Sequence, residues 1–218
     1  MFDVIVRNFP YLMGGLWVTV KLSFFALAGG IFLGMLVGLA RLSKNPWIYY
    51  PVTAYVNFLR NIPLILVIFW FYFIMPLLVG EAMNPFLAAV VSFIVFEATY
   101  FGEIFRAGYQ TISKDLINAS YSTGMTYFQT ARHISIPIAM RRMLPSLITQ
   151  SIVTFQDTSL AFVIGLPELV RRASIVDNLE VRSIELFGFA ALVYFIVCFV
   201  GSRISHYYEE QGRKANII

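Results

Sequence analysis

Charge disappears from five long stretches of this 218-residue chain, and nothing else in it constrains the fold as strongly. The stretches are Leu22 to Ala40, Asn61 to Gly80, Ala82 to Gly102, Met143 to Pro167 and Leu186 to Ser202, broken only by Glu97 in the third and Asp157 in the fourth. A hydrocarbon core about 30 Å thick takes about 20 helical residues to cross, and backbone polar groups inside it must pair within the segment. The chain is 59% hydrophobic and 13% charged, with a mean hydropathy of +0.74, well above the roughly 45–50% apolar share of a soluble domain. These features predict an all-α, polytopic transmembrane helical bundle of about five spans, a single membrane domain over residues 1–218 with no room for a separate catalytic domain. The apolar run after Met1–Pro10 exceeds a signal-peptide core and no small-residue cleavage pattern follows it, so the first helix is expected to be retained.

Helix punctuation falls at the ends of these runs. Asn84-Pro85 reads as a cap followed by proline at the first helical position, and Asn61, Pro63 and Pro145 are expected near helix starts. Eleven of the sixteen Lys and Arg residues fall in one set of connections: Arg41, Lys44, Arg60, Arg106, Lys114, Arg132, Arg141, Arg142, Arg203, Arg213 and Lys214. The opposite set holds Arg7, Lys21, Arg171, Arg172 and Arg182, the last three sharing a polar loop with Glu168, Asp177, Glu180 and Glu185. Because basic residues are retained on the cytoplasmic side, the N-terminus is expected outside and the C-terminus inside. Gly30, Gly34 and Gly38 recur every four residues and mark a helix face open to close approach by a neighbour. No internal repeat of breakers or charges is visible.

The longest polar interval, residues 106–142, lies on the basic side and is too long for a plain connector. It carries helix signals: Ser113 and Asp115 as caps, Ala119 to Met125 as a short helical stretch, and Pro137 as a stop. Its residues Asn118-Ala119-Ser120, then Gly124, then Ile134-Ser135-Ile136-Pro137 keep the spacing of the EAA loop of bacterial ABC-importer permeases, which the segment resembles. Asn118 stands where that motif has Glu, Ser120 where it has Ala, and Ile136 where it has Leu. Further stretches extend the resemblance to permeases of the polar amino acid family: Phe58-Leu59-Arg60-Asn61-Ile62-Pro63-Leu64, Phe96-Glu97-Ala98-Thr99-Tyr100 with Glu103, Arg106, Ala107 and Gly108, and Phe155-Gln156-Asp157-Thr158-Ser159-Leu160. The Ile-Pro pair, the Phe69-Trp70-Phe71-Tyr72 run and the FQDTSL hexamer look closest to glutamate/aspartate permeases. This implies a multi-pass subunit of the bacterial inner membrane with a coupling helix at about Leu116 to Gly124. It also implies an ATP-binding subunit dimer, a second permease subunit, related or identical, and an extracytoplasmic solute-binding protein as partners. Physics alone leaves export open, but the motifs belong to importers.

Ionisable groups inside spans are costly and usually face a cavity or a partner. Glu97, with Tyr100 one turn on, and Asp157, flanked by Gln156 and Thr158, are therefore the candidate substrate residues, one of the two acids answering the α-ammonium of an amino acid. Both acids could instead be structural, bonded to neighbouring helices or to the second permease subunit across the interface. Lys21 or Arg60 could answer an acidic side chain. Glu103 and Arg106, three apart, are expected to pair and position the coupling loop. Cys198 stands alone, as a packing or lipid-facing residue, and only His133 and His206 are present. There is no phosphate-binding loop, no His-Glu-x-x-His and no metal-ligand spacing. No enzyme activity, cofactor or metal is expected. An ion-coupled secondary carrier or channel, with Glu97 and Asp157 as its ion site, is the alternative.

Overall fold

A computed structural model describes residues 3–214, which form helices and the turns between them, with no strand among the described residues. The first helix, α1 (Asp3–Ala40), is 38 residues long, about 57 Å at 1.5 Å per residue. It begins far earlier than Leu22. The two cations that argue for a later start are accommodated where they stand: Arg7 pairs with Glu180, and Lys21 lies 5.9 Å from the Trp17 ring and 6.0 Å from the Phe86 ring.

The second apolar run is not one straight helix. An additional helix, α2 (Pro46–Arg60), precedes it, started by Asn45, whose side chain accepts from Trp47 N at 3.0 Å. After Asn61 and Pro63 the chain turns by 106° into α3 (Leu64–Phe69). A π-helical turn at Trp70–Ile74 carries α3 into α4 (Met75–Val79), which stops at Gly80 in the left-handed conformation, φ +86°. The next helix, α5 (Pro85–Gln110), starts as expected, with Asn84 accepting from Phe86 N at 2.8 Å.

The polar interval 106–142 is largely helical. Helix α5 runs on to Gln110, α6 (Lys114–Ser122) follows, and α7 (Tyr127–Thr130) opens a helical path that continues through a π-helical turn at Ala131–Ser135 into α8 (Ile136–Asp157). Pro137 is therefore not a stop. It is the second residue of α8, and the backbone loosens into the π turn just before it, which accommodates a residue that cannot donate. Pro145 lies inside α8 rather than near its start. A 3-10 segment, Thr158–Ile164, ends this span at Gly165. The polar stretch after it is also helical, as α9 (Leu169–Glu180), and the last helix is α10 (Ser183–Lys214).

The glycine stripe of α1 does what its spacing predicts, and α5 is the neighbour. A Cβ at Gly30 would meet Glu97 Cβ at 3.0 Å, one at Gly34 would meet Phe101 Cβ at 2.6 Å, and one at Gly38 would meet the Gly102 carbonyl at 2.7 Å. These contacts descend both helices together, so α1 and α5 run parallel. Helix α8 runs the opposite way against them, with Met143 against Gly108 and Gln150 against Glu97. Helix α10 returns along α8, Gly201 against Ile152 and Ser205 3.1 Å from Thr149. The main core joins Leu22 and Ala26 to Val67, Ile68, Ala88, Phe93 and Ala161. Outward faces carry Phe24, Phe32, Phe195 and Phe199 exposed, the arrangement of a bundle dissolved in lipid. One end of the bundle thus holds Ala40, Gln110, α6 and α7; the other holds the start of α5 and α9.

Candidate functional site

Polar residues of α8 at positions 150, 154 and 157 fall on one helix face, because steps of four and three residues return to the same side. That face meets Glu97 on α5. Gln150 Nε2 donates to Glu97 Oε2 at 2.9 Å, and Asp157 lies further along the same face. Glu97 is fully buried, and its Oε1 has no hydrogen-bond partner among the described residues.

The five substrate candidates separate by depth. Glu97 and Thr158 are fully buried, and the Thr158 hydroxyl donates to Phe155 O at 2.6 Å. Tyr100 is half-buried beside Phe96, Asp157 is half-buried at the end of α8, and Gln156 is exposed. Over the face of the Tyr100 ring sits the Arg60 guanidinium, 5.0 Å from the ring centroid. Arg60 is the last residue of α2, so the 106° break between α2 and α3 delivers a cation to this neighbourhood. Lys21 stands apart, against Trp17 and Phe86.

A second polar cluster gives no local sign in the sequence. Glu168 caps α9 by accepting from Val170 N at 2.9 Å and Arg171 N at 2.6 Å, Leu169 N donates to Thr19 Oγ1 at 3.2 Å, and the Tyr194 hydroxyl lies 3.4 Å from Glu168. Burial pushes the Glu168 carboxyl up to about 7, against these donors. The cluster pins α9 to α1 and α10. Glutamate is an uncommon cap, and the distant members of the cluster, Thr19 bonded by Leu169 N and Tyr194 beside Glu168, lie about 150 residues upstream and 26 downstream, beyond the reach of any short motif.

At the opposite end, α6 forms a short, largely exposed helix. Ser113 caps it by accepting from Leu116 N at 3.3 Å. Asn118 and Ala119 are exposed, whereas Ser120 is buried with its hydroxyl 2.9 Å from that of Thr130, tying α6 to α7. Ile117 packs inward on the cluster of Phe101, Ile112, Ala139 and Met143. Gly124 turns the chain with φ +83°, and a Cβ there would find nothing within 4 Å. Thr126 and Gln129 form a reciprocal capping box at the start of α7. Ile136 and Pro137 are exposed beyond the π turn. Glu103 bonds Arg106, as its spacing predicts, and also Arg41 just past the end of α1, so one carboxylate fastens both helices beside the exposed loop. No cluster of metal-ligating side chains occurs among the described residues.

Comparison with known proteins agrees with this arrangement. Residues 30–214 match the family described as binding-protein-dependent transport system inner membrane components. The chain is 38% identical over 210 residues to the glutamate/aspartate import permease protein GltK of Escherichia coli O6:H1, covering 93% of this chain and 94% of that protein. It is 36% identical over 194 residues to a probable glutamine ABC transporter permease protein, GlnP, of Bacillus subtilis, covering 88% of each. Among solved structures, it is similar to the crystal structure of an amino acid ABC transporter with histidines, at a TM-score of 0.89 and 28% identity, over 97% of this chain and 98% of that one.

Proposed function

The chain belongs to the family of binding-protein-dependent transport system inner membrane components, a multi-pass permease of an amino acid ABC importer, and from that premise we propose that its substrate is glutamate or aspartate. ABC-importer permeases work with an ATP-binding subunit and a solute-binding protein. Here the ATP-binding dimer would dock at α6, a second permease subunit, related or identical, would complete the pathway, and the binding protein would deliver substrate at the α9 end. The basic end would then face the cytoplasm, with the N-terminus outside.

The observation that carries this reading is α6 itself: an exposed nine-residue helix, capped by Ser113 and followed by left-handed Gly124, projecting from the basic end of the bundle. Its small outer residues, Asn118 and Ala119, can seat in a partner's groove, while Ile117 and Ser120 transmit its position to α8. Ile136 and Pro137 extend the same exposed surface. For the cargo, likeness to a glutamate/aspartate permease over nearly the whole of both chains favours an acidic amino acid.

The half-exposed groups divide the work of holding that cargo. Asp157 would accept the α-ammonium, with Gln156 beside it, and Arg60 held on Tyr100 would answer a carboxylate. Glu97 and Thr158, sealed inside, would act by positioning Asp157 and the end of α8. Closure of the ATP-binding dimer would draw the docking helices together and switch access to the pathway.

Co-purification of the tagged chain with its partner subunits, wild type beside Gly124→Asp, tests the docking role. The ATP-binding subunit should accompany the wild type and be lost from the variant while the membrane partner stays. Retention of the ATP-binding subunit by both would remove α6 from the docking surface, and its absence from both would favour an ion-coupled carrier.

A further inference from the structure

We propose that the groove between α1, α5 and α8 at the basic end of the bundle holds an anionic phospholipid. The groove has a volume of about 230 Å³ and is walled by Leu39 and Leu42 at the end of α1, Phe105 of α5, and Ile136, Met140 and Met143 of α8. Among the described residues its lining includes no charged side chain, and the Tyr109 phenol is the one polar side-chain group in it, so a polar solute would find almost nothing to bond. An aliphatic chain would fill it.

The segments that line the groove are one-sided in charge. Arg41, Lys44, Arg132, Arg141 and Arg142 lie within four residues of a lining residue in the chain, and the one acid within that reach, Glu103, is engaged by Arg41 and Arg106. Lys44, Arg132 and Arg141 are exposed, and Arg142 donates to the Thr111 carbonyl at the end of α5, bridging the helices beside the groove. The occupant must therefore combine an apolar tail with an anionic head. The groove opens where three membrane helices end, the depth at which a phospholipid carries its head group. Each Lys or Arg near such a surface favours an anionic lipid by about five-fold, and the preference weakens as salt screens it.

The test uses the complete transporter, purified with its partner subunits after incubation in nanodiscs of equal phosphatidylglycerol and phosphatidylcholine, with the retained lipid identified by native mass spectrometry. Phosphatidylglycerol should be retained over phosphatidylcholine by about five-fold or more. The ratio should fall toward one in Lys44→Gln/Arg141→Gln, and Leu39→Trp, which fills the groove from its exposed side, should reduce retention of both lipids. Equal retention of the two lipids by the wild type, or an unchanged ratio in the Lys44→Gln/Arg141→Gln variant, would overturn the proposal. So would a photo-crosslinker at position 39 that captures a protein subunit instead of lipid, because the groove would then be a subunit interface.

Discussion

Gln150 holds Glu97 by a 2.9 Å hydrogen bond between α8 and α5, leaving the second carboxyl oxygen of Glu97 buried with no partner among the described residues. Water does not reach a fully buried carboxyl to replace a lost donor, so this bond is expected to matter more than a surface pair. Gln150→Leu should destabilise the protein by about 1–3 kcal/mol, the cost of leaving a buried acceptor unpaired, read as a lower melting temperature in detergent. Glu97→Gln keeps an acceptor of the same shape and should cost less. An unchanged melting temperature in Gln150→Leu would mean that the bond contributes nothing to holding α8 on α5.

Close approach of α1 and α5 gives a second expectation. A Cβ on Gly34 would stand 2.6 Å from Phe101 Cβ and 3.0 Å from the Gly102 nitrogen, atoms that cannot swing aside. Gly34→Val should therefore cost about 1–3 kcal/mol, the usual penalty for overpacking. Gly188 has nothing within 4 Å of the same position, so Gly188→Ala should be neutral or slightly stabilising, since Ala is the better helix former. Thermal unfolding of the two variants side by side separates packing from backbone freedom.

Substrate handling is tested at Asp157. If its charge answers an α-ammonium, Asp157→Asn should lower uptake about ten-fold or more, because a bond to a charged group contributes about 1.5–3 kcal/mol and about 1.4 kcal/mol is a factor of ten. Basal ATP hydrolysis and subunit assembly should be unaffected, as Asp157 is remote in the chain from α6. Wild-type uptake by the variant would assign Asp157 a structural role.

Features set by local chemistry are legible in the sequence. Asn84 before Pro85, the Ser113 cap, the glycine ladder of α1 and the left-handed turn at Gly124 each depend on residues a few positions apart. Features that depend on distant partners are not. Arg7 and Lys21 suggest a late start to α1, yet one is answered by Glu180 and the other by the Trp17 and Phe86 rings. Pro137 reads as a helix end because a π turn that absorbs it leaves no composition signal. Glu97 and Asp157 stand out as acids within apolar spans, and the spacing of Gln150, Thr154 and Asp157 puts three polar groups on one face. That Gln150 meets Glu97 follows only from the antiparallel packing of α8 on α5.

Glu168 makes the stability of the α9 clasp depend on pH, and the sign follows from its environment. Burial raises its carboxyl in the folded protein from an ordinary value of 4.5 to about 7, despite the Val170 and Arg171 amides and the Tyr194 hydroxyl that favour the charged form. The folded state therefore binds the proton more tightly than the unfolded state does. Stability from this group is complete below about pH 4.5 and is lost as pH rises through about 7. Glu168→Gln keeps an acceptor for the α9 amides but cannot ionise, so it should remove this component of the pH dependence. Melting temperatures of wild type and variant should converge toward the acid end of the window and separate as pH rises toward about 7, with the wild type lower. A constant difference across that range would mean that the backbone amides hold Glu168 ionised throughout, and that α9 is fastened by charge rather than by a protonated cap.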